Sequence, residues 1–368
     1  MKLVIAGGGT GGHLFPGIAV AEALLDLDPT SEVLFVGTDK GIEARAVPKA
    51  GFQLALIEVS GLKRVGLKQQ VTTMAALPKA LLRSRAILRE FGADAVLGVG
   101  GYASGPVLVA AKTMGLPTAI CEQNSVPGVT NKILARLVDR VFVTFEASRA
   151  HLPSAELVGN PVRRSFLQAA RREAPAIERG LVFTFGGSQG ARPLNEAVPQ
   201  ALAILKQRGR DVRALHQAGK DAVAGVQQAY AAAAVPAEVS SFIEDMVSCY
   251  RRAHVVICRA GATSCAELGA LGVPAVLVPF PQAADDHQTK NARDMEQAGA
   301  AVLLPQSELT PERLADEIDK LLADDVHRHK VATASKAWGR IDAGGLVARA
   351  AQGGFQHARA PAPASGQA

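Results

Sequence analysis

The chain has 368 residues, of which 48% are hydrophobic and 20% charged. This balance is typical of a globular protein, and the length allows two domains with a substantial core. No run approaches the roughly 18–20 apolar residues of a membrane span, and the glycines after Ala6 exclude a signal-peptide core. The sequence therefore predicts a protein of the cytosol.

Net charge and cysteine content further limit the class of protein and the partners that it can bind. The net charge of +6 and the pI of about 9.2 suit nucleic acid, acidic lipid or a phosphorylated substrate. Because only 4% of the residues are aromatic, and they do not alternate with basic ones, no nucleic-acid partner is expected. Without a C-x-x-C pair, neither a disulfide framework nor a zinc site is expected. The cysteines are interpreted as small buried residues: Cys121, Cys249, Cys258 and Cys265.

A glycine-rich loop, Gly7–His13, follows the apolar run Leu3–Ala6 and precedes a helical stretch over residues 14–27. A strand, a glycine loop and a helix in this order present backbone N–H groups and a helix N-terminus to a phosphate. The loop satisfies the pattern G-x-G-x-x-G, which by itself favours a dinucleotide-binding enzyme. The glycines of that pattern are Gly7, Gly9 and Gly12.

The second predicted strand, Glu32–Gly37, is followed by Asp39. An acid near this position holds the ribose in dinucleotide enzymes, so an NAD(P)-dependent oxidoreductase is one alternative. His13 counts against it, because a bulky polar side chain directly follows the last glycine of the loop.

Residues 61–90 carry seven Lys or Arg and one acid, Glu90. Apolar residues recur between them at close to helical spacing. Two interpretations are open: a core-packing helix with a solvated basic face, or a membrane-surface element that meets anionic lipid. The basic residues are Lys63, Arg64, Lys68, Lys79, Arg83, Arg85 and Arg89.

The rest of the first half continues this alternation of strands and helices. Strands are predicted at 95–99, 117–120, 141–143 and 157–158, and helices at 107–114 and 129–138. A second glycine loop, Gly100–Pro106, and the polar group Cys121–Asn124 each follow a strand, where open α/β sheets bind ligands. The segment Gly159–Arg163 closes this half.

The alternation of strands and helices begins again after a polar stretch at 168–179. The glycine loop Gly186–Ala191 separates a strand at 181–185 from a helix at 193–207, and residues 312–352 are mainly helical. Further strands are predicted at 212–215, 239–242, 255–258 and 275–279. This repeated alternation predicts an α/β fold with two doubly wound parallel sheets, facing one another across a cleft.

The loops of the second half have residues that are suited to binding a nucleotide. The segment Gly261–Glu267 begins at a strand end and opens a helix, so its N–H groups and the helix dipole can hold a diphosphate. Glu267 lies one turn further on, where a carboxylate can accept both hydroxyls of a ribose. The alternative is an ordinary first-turn glutamate. The cluster Asp285–Gln288 either binds sugar hydroxyls or simply begins a solvated helix.

Two residues compete as general base. Histidine exchanges protons near neutral pH, and His13 stands at a glycine loop, although a lone histidine is often a structural hydrogen-bond donor. Glu122 is the rival, and its alternative role is to anchor the loop around Asn124.

Six motifs, in one order along residues 2–350, resemble the MurG family of glycosyltransferase family 28. That family makes lipid II for peptidoglycan synthesis and thereby serves cell shape and division. The motifs are Gly-Gly-Gly-Thr-Gly-Gly-His-Leu-Phe-Pro, Gly-Gly-Tyr-Ala-Ser-Gly-Pro, Glu-Gln-Asn, Gly-Asn-Pro-Val-Arg, Gly-Gly-Ser-Gln-Gly-Ala and the loop Gly261–Glu267.

The resemblance implies a GT-B fold and an inverting transfer of GlcNAc from UDP-GlcNAc to the MurNAc 4-hydroxyl of undecaprenyl-pyrophosphoryl-MurNAc-pentapeptide, lipid I. UDP-GlcNAc is then a substrate, and no cofactor or metal is expected. An acceptor- and membrane-facing domain is expected at 1–161 and a UDP-GlcNAc domain at 162–336. A last helix at about 337–352 would cross back to the first domain. The Gly-, Ala- and Pro-rich segment 353–368 is predicted to be a disordered tail.

The resemblance also implies site residues. The backbone of Ile243 would read the uracil edge, Glu267 would hold the ribose, and Gln288 the GlcNAc hydroxyls. Donor contacts fall on Thr10, Gly11, Gly12, Asn124, Arg163, Ser188, Ile243, Ala262, Thr263, Ser264, Cys265, Ala266, Glu267 and Gln288. Acceptor contacts fall on Gly9, Gly101, Tyr102 and Ser104, and the catalytic candidates are His13 and Glu122.

Two positions depart from the family's pattern. Cys121 stands where members usually carry His, which removes any acid–base role of that histidine. Ser264 stands where Thr is frequent and keeps the hydroxyl.

For the basic stretch at 61–90, the resemblance favours a surface that meets anionic lipid on the cytoplasmic face of the inner membrane. It also implies a cell-wall synthesis complex as partner. Besides the oxidoreductase, a non-catalytic sugar-nucleotide or membrane scaffold is a third hypothesis.

Overall fold

The structure, a computed structural model, describes residues 1–39, 41–59, 67–173, 176–187 and 189–356, with the backbone alone at 67–76. The chain divides into two compact units. The first comprises residues 1–122, 127–158 and 344 onward, and the second comprises 123–126 and 159–343.

The first unit contains a seven-stranded sheet with helices on both faces. Its strands are β1 (Lys2–Ala6), β2 (Glu32–Gly37), β3 (Gln53–Leu56), β4 (Ala95–Gly98), β5 (Thr118–Glu122), β6 (Arg140–Val143) and β7 (Glu156–Leu157). Its helices are α1 (Gly11–Leu27), α2 (Glu43–Lys49), α3 (Leu67–Phe91), α4 (Ser104–Thr113) and α5 (Val129–Leu134), with a 3₁₀ turn at Glu146–Ala150.

The second unit contains a six-stranded sheet. Its strands are β8 (Leu181–Phe185), β9 (Arg213–Gln217), β10 (Ala237–Ser240), β11 (Val255–Cys258), β12 (Ala275–Leu277) and β13 (Val302–Leu303). Its helices are α6 (Arg164–Arg171), α7 (Arg192–Gln207), α8 (Val223–Ala232), α9 (Met246–Arg252), α10 (Ala262–Leu271), α11 (His287–Gln297), α12 (Pro311–Ala323) and α13 (Asp325–Trp338). The last helix, α14 (Ala343–Gln352), packs on the first unit.

Both sheets are parallel and doubly wound. The strand order is β3-β2-β1-β4-β5-β6-β7 in the first unit and β10-β9-β8-β11-β12-β13 in the second. The order reverses between β1 and β4 and again between β8 and β11. Because ligands of such sheets bind outside the carboxyl ends at this reversal, the loops after these four strands are the candidate binding loops.

The core explains why the central strands are continuous apolar runs. Leu3 and Ile5 of β1 face α1 and α14, whereas Val4 and Ala6 face α3 and α4. With both faces of the sheet covered, every position of such a strand is buried and no alternation with polar residues appears. In the second unit, α7 and α12 cover one face of the sheet.

The structure adds elements that the sequence pattern missed. Strands β3 and β13 lie at sheet edges, and their residues are half-buried or exposed, so neither gives a clear apolar run. The predicted strand at 239–242 is shifted to Ala237–Ser240, and the predicted helix at 129–138 ends at Leu134. Residues 357–368, most of the predicted tail, lie outside the described residues.

A buried polar network lies under α7 and α8 in the second unit. The His216 ring is fully buried, with Nδ1 2.9 Å from the Tyr230 hydroxyl and Nε2 3.0 Å from Asn195 Oδ1. The amide Nδ2 of Asn195 donates to the Ala218 carbonyl, so its Oδ1 must accept from His216 Nε2–H. Burial lowers the pKa of His216 to about 4, so at neutral pH the ring is neutral and its Nδ1 accepts the tyrosine proton.

Acid should destabilise the fold through His216, because burial lowers its pKa to about 4. The unfolded chain takes up a proton below about pH 6.5 while the folded chain does not, so stability present above pH 6.5 is lost as the pH falls toward 4. Between pH 7.5 and 4.5, His216→Gln should lose about 2 kcal/mol less unfolding free energy than the wild type in urea titrations. Exposed His151→Gln is the control. If His216→Gln and the wild type lost the same unfolding free energy, a lowered pKa of His216 in the folded chain would be contradicted.

Candidate functional site

Two glycine loops meet at the reversal point of the first sheet. The Gly8 N–H donates to the Gly100 carbonyl at 3.2 Å, so the loops after β1 and β4 are in contact. Gly101 has φ +82°, and a Cβ there would lie 2.4 Å from the Gly8 oxygen. Only glycine therefore permits this approach, and the predicted acceptor residues Gly9 and Gly101 belong to one surface.

Glu43, at the start of α2, organises the first glycine loop, and it belongs to none of the sequence motifs. Its carboxylate is 1% exposed and accepts from the Gly9 N–H at 2.7 Å and the Thr38 N–H at 2.9 Å. Burial raises the pKa of Glu43, but the N–H donors outweigh it and the pKa lies below its ordinary value. The Gly9 N–H is thereby occupied, so the candidate donors for an anion in this loop are the backbone N–H groups at the start of α1.

The N-terminus of α1 presents Gly11, Gly12 and His13, with Thr10 as the cap residue. In the described part of the chain, no acidic residue lies in this first turn. The positive end of the helix dipole is thus available to an anion. The His13 ring is half-buried against Gly100, where a Cβ would lie 2.6 Å from His13 Nδ1.

The remaining predicted residues of the first unit differ in exposure. The Tyr102 side chain is 52% exposed on the loop after β4. Ser104 is fully buried, and its hydroxyl lies 2.8 Å from the Ala6 carbonyl and 2.9 Å from the Gly100 carbonyl, to which it donates. Through this buried hydroxyl, Ser104 links the end of β1 to the loop after β4.

Glu122 lies at the end of β5 with a 2% exposed side chain. Its Oε2 accepts from the Gly128 N–H at 3.1 Å and from Asn131 Nδ2 at 2.9 Å. These contacts tie the carboxylate to the beginning of α5 and favour the anchoring alternative for Glu122. Its neighbour Cys121 is buried, which raises the pKa of the thiol to about 12 and keeps it protonated.

The loop after β11 opens α10 in the second unit. Gly261 is the cap residue, and Ala262 to Ser264 form the first turn. In the described residues this turn contains no acid, so its N–H groups and the helix dipole favour an anion. Cys265 and Ala266 are buried against the core, so they contribute backbone rather than side chains to this surface.

Glu267 is held by two donors. Arg163 Nη2 donates to Oε1 at 2.9 Å, and the Tyr250 hydroxyl donates to Oε2 at 3.2 Å. Burial raises the pKa of Glu267, and the opposing charge of Arg163 with the two hydrogen bonds limits that rise. Arg163 and Glu267, far apart in sequence, are thereby brought together. Tyr250 was missed, since its aromatic packing partners Phe166, Phe183 and Phe185 come from other elements.

Asn124 belongs to the second unit, although it follows a strand of the first sheet. Its neighbour Ser125 donates its N–H to Asn291 Oδ1 at 3.0 Å, and Asn291 Nδ2 donates to the Ala260 carbonyl at 3.1 Å. Asn124 is therefore tethered near the residue that precedes Gly261. The fully buried Asn291 was not singled out in the sequence because its partners are distant in the chain.

Gln288 and Ile243 are both held by backbone–side-chain hydrogen bonds. Gln288 Oε1 accepts from the Phe280 N–H at 2.9 Å, and Gln217 Oε1 accepts from the Ile243 N–H at 2.8 Å. Buried Arg259 donates to the Val278 and Pro279 carbonyls just before Phe280. The predicted donor residue Ser188 lies outside the described residues.

Glycine-rich loops at the reversal point of two doubly wound sheets define a two-domain nucleotide-binding α/β protein of the GT-B class. Residues 3–143 match the glycosyltransferase family 28 N-terminal domain, and residues 181–343 match the C-terminal domain of that family. A crystal structure of Acinetobacter baumannii MurG has a TM-score of 0.77 and 31% identity, covering 96% of this chain and 99% of that one. The chain belongs to the MurG family within glycosyltransferase family 28.

Two bacterial relatives are similar over most of their length. The Myxococcus xanthus (strain DK1622) protein is 49% identical over 87% of this chain and 84% of its own, and the Syntrophus aciditrophicus (strain SB) protein is 46% identical over 86% and 89%. Both are named UDP-N-acetylglucosamine--N-acetylmuramyl-(pentapeptide) pyrophosphoryl-undecaprenol N-acetylglucosamine transferase. A Neisseria meningitidis UDP-GlcNAc 2-epimerase bound to UDP-GlcNAc shares the fold, with TM-score 0.69 and 12% identity over 96% of this chain and 100% of that one.

Proposed function

We propose that this protein transfers GlcNAc from UDP-GlcNAc to the 4-hydroxyl of the MurNAc unit of lipid I, giving lipid II and UDP. The observation that carries this proposal is the Arg163–Glu267–Tyr250 arrangement beside the N-terminus of α10. It combines a carboxylate for hydroxyl groups with a helix terminus for phosphates, which is the chemistry of a nucleoside diphosphate. Relatives named for this reaction support it.

The donor would lie on the second unit. Backbone N–H groups of the first turn of α10 would bind the diphosphate, Glu267 the ribose hydroxyls, and Gln288 the sugar hydroxyls. Negative charge grows on UDP as the bond between the anomeric carbon and the phosphate oxygen breaks. The N–H groups and the dipole of α10 stabilise that charge in the transition state more than in the ground state.

The acceptor would lie on the first unit, with its diphosphate at the N-terminus of α1 and Tyr102 beside it. The MurNAc 4-hydroxyl oxygen attacks the anomeric carbon, UDP departs with the electron pair of the broken bond, and the configuration inverts. We propose His13 as the base that takes the hydroxyl proton. Its position at the start of α1 supports this role, whereas the contacts of Glu122 support an anchoring role.

A transfer assay tests the proposal. Radiolabelled UDP-GlcNAc and a lipid I analogue should give a labelled disaccharide lipid and one UDP per transfer. UDP-GlcNAc should raise the melting temperature of the protein by mass action, and NAD should not. Stabilisation by NAD alone would favour the oxidoreductase, and UDP-GlcNAc binding without UDP release would favour a scaffold.

We also propose that the first unit binds an anionic membrane surface on the cytoplasmic leaflet, where lipid I is held. None of the helices in the described ranges is long and apolar enough to cross a bilayer. Helix α4 packs against both α3 and α5, and exposed apolar residues lie on or just after these helices beside exposed basic ones. The apolar residues are Leu77, Leu82, Val129, Ile133 and Leu137, and the basic ones include Lys79, Arg83 and Arg136. Lys63 and Arg64 lie outside the described residues, as does the side chain of Lys68.

Leu82→Glu is expected to weaken binding to phosphatidylglycerol-containing vesicles at least about 10-fold, because it removes apolar area and adds repulsion from the anionic surface. Leu82 is 69% exposed, so the fold should tolerate the change. Co-sedimentation with vesicles measures it, and Val326→Glu, on the 81% exposed Val326 of the second unit, is the control. Equal loss in both variants, or none in Leu82→Glu, would refute this surface.

A further inference from the structure

The space between the loops after β1 and β2 is where a dinucleotide enzyme of this topology holds part of its ligand. In that class, the second glycine of the G-x-G-x-x-G pattern lets the backbone approach the pyrophosphate, and an acid after β2 holds the ribose. The corresponding residues here are Gly9 and Asp39. Strands β1 and β2 are direct neighbours, so the two loops begin at the same edge of the sheet.

The carboxylate of Glu43 already occupies this space. Its Oε2 accepts from the Gly9 N–H at 2.7 Å, and its Oε1 accepts from the N–H and from the hydroxyl of Thr38, each at 2.9 Å. Burial raises the pKa of Glu43, but these donors outweigh it and hold the pKa below its ordinary value, so the group is an anion at neutral pH. A carboxylate of the protein thus takes N–H groups that a nucleotide phosphate would need.

Two glycines leave room for this carboxylate. A Cβ at Gly8 would lie 2.4 Å from Glu43 Cδ, and a Cβ at Gly37 would lie 2.6 Å from Glu43 Cγ. Because the Glu43 side chain is buried and held by three hydrogen bonds, it could not move aside without losing them. Neither glycine is one of the three in the G-x-G-x-x-G pattern. Their lack of a side chain therefore serves Glu43 rather than a bound ligand.

We propose that Glu43 is a resident anion, standing where a nucleotide phosphate would bind, and that it positions the loop Gly7–His13 for the acceptor. A phosphate at Gly9 would meet a like charge in a space that is already filled. With the Gly9 N–H held, the acceptor's diphosphate is directed to the N–H groups at the start of α1. The inference rests on the proposed acceptor position at that helix. It extends that position to a buried residue that does not itself touch the acceptor.

The first test is Glu43→Ala in the full chain, assayed with a lipid I analogue at saturating UDP-GlcNAc. The KM for the acceptor should rise about 10-fold, because Gly9 loses a charged hydrogen-bond partner and the loop is no longer fixed. The acceptor's diphosphate is remote from its 4-hydroxyl, so kcat should stay within about 3-fold of the wild type. The Kd for UDP in calorimetry should be unchanged, since the donor would lie on the second unit.

Acetate tests whether the space takes an anion. Its methyl group and carboxylate match the atoms that Glu43→Ala removes, so about 0.1 M acetate should raise the melting temperature of this variant more than that of the wild type. It should also lower the acceptor KM of the variant at least about 3-fold. Acetamide has the same shape without the charge, and it should do neither, nor should chloride at equal ionic strength. Glu146→Ala, at an exposed glutamate of the same unit, is the control variant.

Glu43→Gln keeps the volume and covers the case in which Glu43→Ala does not fold. Its amide sets an N–H against the N–H of Gly9 or of Thr38, so the acceptor KM should again rise, and acetate should not restore it because the space is filled. A wild-type acceptor KM in the folded variants, or equal effects of acetate and acetamide, would overturn the proposal. Weakened UDP binding in step with the acceptor KM would reduce Glu43 to a general support of the fold. If the wild type transferred no GlcNAc, the proposed function would fail, whereas stabilisation of Glu43→Ala by acetate would still establish the anion site.

Discussion

Glu267→Gln is expected to raise the KM for UDP-GlcNAc about 30- to 100-fold while kcat changes far less. The carboxylate is the acceptor that would take the ribose hydroxyls, and a hydrogen bond to a charged acceptor contributes about 1.5–3 kcal/mol. Because the ribose is remote from the reacting carbon, its contacts act equally in the ground and transition states. Steady-state kinetics with a lipid I analogue, and calorimetry with UDP, measure the effect.

Glu267 also forms an ion pair with Arg163, so its replacement disturbs the fold as well as the site. A second variant separates the two effects. Tyr250→Phe keeps the ring in the aromatic cluster and removes only the hydroxyl 3.2 Å from Glu267 Oε2. It should raise KM about 3- to 10-fold, since one donor to the carboxylate is lost. Exposed Glu296→Gln should leave KM unchanged. A wild-type KM in Glu267→Gln would remove Glu267 from the ribose site.

His13→Ala is expected to lower kcat at least about 100-fold while the Kd for UDP stays near that of the wild type. A base acts on the acceptor hydroxyl in the transition state, so its loss should not weaken binding of the donor. Single-turnover assays with saturating UDP-GlcNAc give the rate of the chemical step. His151→Ala, an exposed histidine of the same unit, is the control.

The rival base is tested in the same assay. Glu122→Gln should lower the melting temperature, because the carboxylate accepts from Gly128 and Asn131, and should retain most of kcat at a temperature where it is folded. If His13→Ala kept near-normal turnover and Glu122→Gln lost about 100-fold in kcat, Glu122 would be identified as the general base.

The positions of the central strands and of their glycine loops could be predicted from the sequence. The predicted strands at 181–185 and 255–258 have the bounds of β8 and β11, because a strand buried on both faces is a continuous apolar run. Edge strands such as β13 were missed, since pairing with one neighbour leaves little signal in the residues themselves. The MurG family membership, carried by six ordered motifs, is confirmed by relatives over most of the chain.

The sequence by itself determined the fold class, two doubly wound parallel sheets with glycine loops, because local apolar patterns and turn residues are local properties. Only the tertiary structure decided which polar side chains support those loops. Glu43 on the Gly9 N–H, Tyr250 on Glu267 and Gln217 on the Ile243 N–H belong to no motif. Each acts through a backbone or side-chain partner from another element, and such pairings exist only once the strands have been set side by side.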